Sequence, residues 1–169
     1  MLTKKESYNV AVVGATGIVG ESLLEILYSR RFPISSIHAV ASKKSKGSKA
    51  KFGDQLLTVE SLDEFNFTDI DIAFFSAGSS VSKEYATKAA AKGCVVIDNT
   101  SEFRYEQDIP LVVPEVNPQD IELYKHKNII ANPNCSTIQM LVALKPLHDT
   151  FCVKHINVCT YQAVSGSGK

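Results

Sequence analysis

Cys135 stands in Asn132-Pro133-Asn134-Cys135-Ser136-Thr137, directly ahead of an apolar run containing Ile138, Leu141, Val142 and Leu144. Asn134 is a good N-cap, so Cys135 is expected as the first residue of a helix. A thiol at a helix N-terminus meets free backbone amides and the positive end of the helix dipole, the setting that makes cysteines nucleophilic. The competing reading of the position is a plain core cysteine. Cys94, Cys152 and Cys159 are expected to be reduced thiols that act as small buried hydrophobes. No C-x-x-C pair occurs, which disfavours a structural metal or a redox dithiol, and no metal is expected.

The other group with chemical content lies near the start. Asn9 to Val13 is apolar and β-prone and runs into Gly14-Ala15-Thr16-Gly17-Ile18-Val19-Gly20, then into an amphipathic stretch. Strand, glycine turn and helix in this order suit a dinucleotide: Gly14 for the turn, Gly17 for approach of backbone to a pyrophosphate, Gly20 for helix-on-strand packing. A merely tight strand-to-helix turn is the alternative. An NAD site usually has an acid after the second strand to bind the ribose 2′-hydroxyl. Here that place reads Ala41-Ser42-Lys43-Lys44-Ser45-Lys46, which supplies hydroxyls and ammonium groups and points to NADP, the alternative being a solvated basic loop. Ser76-Ala77-Gly78 follows another strand and either lines the cofactor or forms an ordinary capped turn. A cysteine nucleophile beside a nicotinamide suits one reaction class: addition to an aldehyde, hydride loss from the hemithioacetal, and release of a thioester.

These groups need a scaffold that brings strand ends together. Strands are predicted at Tyr8 to Val13, Ser36 to Ala41, Ile70 to Ser76, Val95 to Asp98, Leu111 to Val113, Asn128 to Ala131 and Lys154 to Gln162. Helices are predicted at Ile18 to Ser29, Val81 to Ala91, Pro118 to His126 and Cys135 to Leu147, and Lys43 to Lys51 reads as a loop. Strands such as Ile72 to Phe75 are apolar on both faces, as in a parallel sheet covered by helices. The fold class is therefore α/β, a doubly wound, mainly parallel Rossmann-like sheet.

The chain has 169 residues, 44% of them hydrophobic, and 18 basic groups balance 18 acidic ones. That balance argues against a nucleic-acid partner or an anionic membrane surface. No apolar run approaches the ~20 residues that span a bilayer, and the first residues are polar rather than a signal peptide, so a cytoplasmic protein is expected.

Five segments carry a resemblance: Gly14-Ala-Thr-Gly-Ile-Val-Gly20, Ile97-Asp-Asn-Thr-Ser-Glu-Phe-Arg104, Val113-Pro-Glu-Val-Asn-Pro118, Asn132-Pro-Asn-Cys-Ser-Thr-Ile-Gln139 and Tyr161-Gln-Ala-Val-Ser-Gly166. In content and order they resemble aspartate-β-semialdehyde dehydrogenase. The resemblance implies NADPH-dependent reductive dephosphorylation of L-4-aspartyl phosphate to L-aspartate 4-semialdehyde and phosphate. That step feeds lysine, methionine, threonine, isoleucine and diaminopimelate synthesis. It implies an NADP-binding domain over residues 1–131 and, over 132–169, the beginning of an α+β catalytic and dimerisation domain. N-acetyl-γ-glutamyl-phosphate reductase shares the cysteine and acyl-phosphate logic, and a dinucleotide-binding fragment without catalysis is a third reading.

By the same resemblance Cys135 is the acyl-carrying nucleophile, Gln162 positions the substrate, and Arg104 with Asn134 contacts the phosphoryl group. Gly14, Thr16, Gly17, Ile18, Val19, Ser42, Lys44, Ser45, Ser76, Ala77 and Gly78 fall at the cofactor, and Ser165 with Gly166 falls near its nicotinamide end. Lys44 stands where relatives often carry arginine, which keeps the charge but loses the two-pronged grip. The family's catalytic histidine and substrate arginine lie beyond Lys169. His38, His126, His148 and His155 are read as structural, and the chain by itself is expected to turn over poorly or not at all. Family members assemble as homodimers or homotetramers.

Overall fold

A computed structural model describes residues 4–163. β1 (Tyr8–Val13) is the centre of the molecule: Val10 to Val13 are wholly buried, because both faces of the strand are covered. Val10 and Val12 pack with Leu24 and Leu27 of α1 (Ile18–Ser29), whereas Ala11 and Val13 pack with Phe67, Phe75 and Ala89 on the opposite face. The buried positions of α1, Gly20, Leu24 and Leu27, lie one turn apart and form the stripe that seats it on the sheet.

β2 (Ile34–Ala41) runs parallel to β1. A 3-10 turn at Lys43–Ser45 leads into β3 (Lys49–Phe52) and β4 (Gln55–Thr58), an antiparallel hairpin. The expected loop through Lys51 thus gives way to a strand. Lys49 and Lys51 face solvent while Ala50 is buried beside α1, and Phe52 meets the Tyr28 ring edge-on at 5.4 Å. β5 (Glu60–Ser61), β6 (Ile72–Phe75), β7 (Val95–Asp98) and β8 (Ile129–Ala131) complete a six-stranded sheet of order β5-β2-β1-β6-β7-β8. Each of its pairings is parallel. Every strand therefore ends at the same edge, and the chain reverses direction across the sheet at β1, the place where such sheets bind ligands.

The predicted helix at Val81 to Ala91 is composite: α2 (Ser79–Val81) passes through a π-helical turn at Ser82–Ala86 into α3 (Thr87–Ala91). Pro118–His126 is a 3-10 helix rather than the α-helix expected, since none of its residues is buried and no apolar stripe rewards the wider winding. Leu111 makes a single bridge to Ala131, and the strand expected at Leu111 to Val113 goes no further.

α4 (Cys135–Phe151) starts at the predicted residue and continues past Pro146 to a left-handed cap at Cys152, φ 55°. None of its residues is buried, and Val142, Leu147 and Phe151 are exposed. The strand expected over Lys154 to Gln162 does not form among the described residues. A strand needs a neighbour to satisfy its amides, and this segment has none among the described residues; Ile156, Val158 and Tyr161 lie exposed. Cys94 is buried, and burial pushes its thiol up to about 12. Cys152 and Cys159 are exposed, contrary to expectation, because nothing among the described residues covers the segment after α4 at these positions.

Candidate active site at the carboxyl edge of the sheet

Gly14 takes the chain out of β1 at φ +90°, a conformation that L side chains avoid. Its amide and that of Ala15 donate to the Val40 carbonyl, at 2.8 and 3.1 Å, so the turn is anchored on β2. A Cβ at Gly14 would lie 2.9 Å from the Ser76 backbone carbonyl, which shows how closely the loop after β6 approaches. Gly17 is the N-cap of α1, and its carbonyl receives the Glu21 amide. The Thr16, Ile18 and Val19 amides have no protein acceptor among the described residues, which is the state of a helix N-terminus ready for an anion. Ile18 and Val19 are 40% and 44% exposed, large apolar side chains left beside those amides. A dinucleotide pyrophosphate fits this cradle, because the glycines leave it open and the amides are unspent.

Two further loops border it. Ser42, Lys43, Lys44 and Ser45 follow β2; Lys43 and Lys44 are exposed and make no ion pair among the described residues, whereas Lys46 is paired with Glu64. The unpaired ammonium groups suit a phosphate ester. Ser76 donates its amide to Val13 at 2.9 Å, and Gly78, at φ +95°, starts α2. The Ser79 and Ser101 hydroxyls lie 2.9 Å apart and tie this loop to the one after β7.

Cys135 is exposed at the first position of α4, four residues after the end of β8, and so on the same edge as the glycine turn. Asn134 caps the helix: its Oδ1 accepts from the Ser136 amide at 3.0 Å and the Ser136 hydroxyl at 2.6 Å. The carboxamide oxygen is thereby committed to the cap, which leaves the amide nitrogen for any ligand. Arg104 is half-buried and directs Nε to the Asn132 carbonyl at 3.0 Å and Nη2 to the Asn99 carbonyl at 3.3 Å. A guanidinium carries five donors, so Nη1 and the second Nη2 proton remain for an anion. Gln162 is exposed on the segment after α4, with no hydrogen bond among the described residues. Ser165 and Gly166 lie outside the described residues.

His38 Nδ1 lies 2.8 Å from a Glu60 carboxylate oxygen, and His155 pairs with Asn157; neither is hydrogen-bonded to Cys135. An open cleft bordered by Asn9, Ser36, His38 and Asp69 lies toward the amino ends of β1 and β2, away from this edge.

Asp98 was not singled out from sequence. It is wholly buried at the end of β7, with Ser82 Oγ 2.5 Å from one oxygen and Thr100 Oγ1 2.7 Å from the other. A carboxylate closing the apolar strand Val-Val-Ile-Asp was the available signal. Burial pushes its carboxyl above the ordinary range, against Ser82, Thr100 and the Arg104 charge. A raised carboxyl stabilises the fold fully below its unfolded-state value, and that contribution is lost as pH rises through the folded-state value. Asp98→Asn should therefore flatten the pH dependence: over that window the melting temperature of the wild type falls relative to the variant. Parallel melting curves across the window would contradict this.

Comparison with known proteins agrees with the geometry. The family "Semialdehyde dehydrogenase, NAD binding domain" matches residues 9–124. An aspartate-semialdehyde dehydrogenase of Legionella pneumophila is 59% identical over 95% of this chain and 46% of its own length. The crystal structure of aspartate semialdehyde dehydrogenase II from Vibrio cholerae, complexed with ASA, superimposes with TM-score 0.94 at 53% identity, over 98% of this chain and 49% of its own. The Candida albicans enzyme, solved with NADP, gives TM-score 0.71 at 31% identity, over 86% and 48%. The chain thus spans about half the length of these relatives. With the glycine cradle, the parallel sheet and this match over most of its length, the chain belongs to the semialdehyde dehydrogenase NAD-binding domain family.

Proposed function

We propose that, in the whole protein, this chain supplies the NADP site and the nucleophile of an aspartate-semialdehyde dehydrogenase that interconverts L-4-aspartyl phosphate and L-aspartate 4-semialdehyde. The observation that carries the reading is the placement of Cys135 and the Gly14 to Gly20 cradle at one edge of one sheet. Residues 1–131 form the dinucleotide domain, and 132–169 begin the catalytic domain. Bound at the cradle, NADP supplies a hydride acceptor. Thr16, Ile18 and Val19 hold its pyrophosphate, Ser42, Lys44 and Ser45 its 2′-phosphate, and Ser76, Ala77, Gly78, Ser165 and Gly166 border the rest. Cys135 Sγ adds to the aldehyde carbon, retains the acyl group as a thioester once the hydride has left, and is freed when a phosphate oxygen displaces it. The free donors of Arg104 and Asn134 orient that phosphate, and Gln162 orients the substrate.

The likeness to the Candida albicans enzyme solved with NADP and the unpaired lysines support NADP over NAD. Lys44→Met should raise the Kd for NADP about five- to tenfold, the scale of one exposed phosphate contact, and leave NAD binding unchanged. Equal weakening of both dinucleotides, measured by fluorescence titration, would remove Lys44 from the 2′-phosphate site. Among the described residues no helix is long and apolar enough to cross a membrane, and charge is balanced. The balanced charge fits an enzyme without a nucleic-acid partner, and the reading extends to a cytoplasmic protein that, as the family resemblance implies, assembles whole as a homodimer or homotetramer.

The test is NADP reduction by the whole protein with L-aspartate 4-semialdehyde, with and without phosphate. Turnover that requires phosphate supports the reading. Preference for N-acetylglutamate 5-semialdehyde, or no phosphate requirement, overturns it.

A further inference from the structure

β8 ends at Ala131, so the sheet stops holding the chain four residues before Cys135. What holds it from there is a set of polar contacts that begins at Asp98. The Asp98 carbonyl accepts the Asn132 amide at 2.8 Å. Its side chain takes a hydroxyl from Ser82, in the π-helical turn, and another from Thr100. Thr100 Oγ1 in turn accepts the Glu102 amide at 3.3 Å, which bends the loop so that Phe103 is buried and Arg104 faces Asn132. Arg104 then grips the Asn132 and Asn99 carbonyls, and Asn132 Nδ2 donates to Asn99 Oδ1 at 2.6 Å. Asn132 is thus fixed through its amide, its carbonyl and its side chain, and Pro133 beyond it is buried.

We propose that Asp98, Thr100 and Arg104 are positioning residues: their hydrogen-bond chain fixes Asn132 and thereby sets the place of Cys135 at the edge of the sheet. The purpose of this brace rests on the reading of Cys135 as nucleophile; its geometry does not. Ser82 adds a consequence, because it lies one helical turn from the Ser76 to Gly78 loop, so the cofactor loop and the nucleophile are braced on one carboxylate. Arg104 also acquires a second task besides offering donors to phosphate.

Hydrogen exchange of the 169-residue chain tests this without turnover. Thr100→Val keeps the volume and removes the hydroxyl; exchange over residues 132–139 is expected to rise about tenfold, the scale of a charge-assisted hydrogen bond, while residues 8–29 are unchanged. Thr100→Ser keeps the hydroxyl and should restore slow exchange. Arg104→Lys, which retains charge but cannot span two carbonyls, should not. The iodoacetamide alkylation rate of Cys135, read in a Cys152→Ser, Cys159→Ser background, should change with Thr100→Val and return with Thr100→Ser. Fast exchange in Thr100→Ser but not Thr100→Val would mean packing, not hydrogen bonding, and would overturn the proposal. So would a rise shared by every segment, or an unchanged alkylation rate in Thr100→Val. An inactive whole protein that keeps the expected exchange pattern would count against the reaction and not against the brace.

Discussion

Cys135→Ser should abolish phosphate-dependent semialdehyde oxidation by the whole protein, with a loss of about 10⁴-fold or more, as expected when a covalent nucleophile is removed. A serine hydroxyl ionises far less readily than a thiol, and the helix N-terminus that favours a thiolate at this position cannot make an alkoxide of it. The fold should be indifferent to the change. Cys135 is exposed, its contact to Asn134 is long at 3.8 Å, and the helix is capped through Ser136 instead. Stability should therefore stay within about 0.5 kcal/mol of wild type. Cys152→Ser and Cys159→Ser, exposed and outside the site, should keep full activity. Mass spectrometry should find an acyl adduct on Cys135 in the wild type when phosphate is withheld. Retained activity in Cys135→Ser would remove covalent catalysis altogether.

What could be read in advance was what local chemistry decides. A glycine turn between an apolar strand and an amphipathic helix, or an Asn-Cys pair ahead of an apolar run, needs no distant residue to be recognised. Both elements formed where they were expected. The β3–β4 hairpin was hidden because only Ala50 of its first strand is buried, so four alternating residues rich in lysine look like a solvated loop. The segment from Lys154 to Gln162 failed in the opposite sense. Its β-branched residues satisfy local propensity, yet a strand exists only against a partner, and propensity carries no knowledge of one. Asp98 is the clearest case of non-local content. Its partners are 16 residues before it and two after it, and Arg104 reaches 28 residues along the chain to Asn132. No spacing rule announces such a cluster; it exists because parallel strand ends converge.

The convergence itself depends on Gly20, where the sign of one substitution separates propensity from packing. Gly20 lies inside α1 with ordinary helical backbone, and helix propensity alone would have Gly20→Ala stabilise the protein by roughly 0.5–1 kcal/mol. A Cβ there would overlap the Gly14 carbonyl oxygen and lie 2.7 Å from the Ala15 Cα. These are backbone atoms of the turn, pinned on Val40, and cannot swing aside as a side chain would. The helix must move off β1, taking the Thr16, Ile18 and Val19 amides with it. The expected result is a loss of about 3 kcal/mol, which for a domain of this size lowers the melting temperature by about 6–12 °C. Dinucleotide binding should fall by more than the stability change explains, because the cradle is displaced even in molecules that remain folded. Gly47→Ala is the matching control: Gly47 has φ +83° and nothing within 4 Å of a new Cβ, so it should cost only about 1 kcal/mol of backbone strain and leave binding intact. A Gly20→Ala protein as stable as wild type would mean that α1 can slide on the sheet, and the cradle would then owe its shape to the bound dinucleotide rather than to close packing of helix on strand.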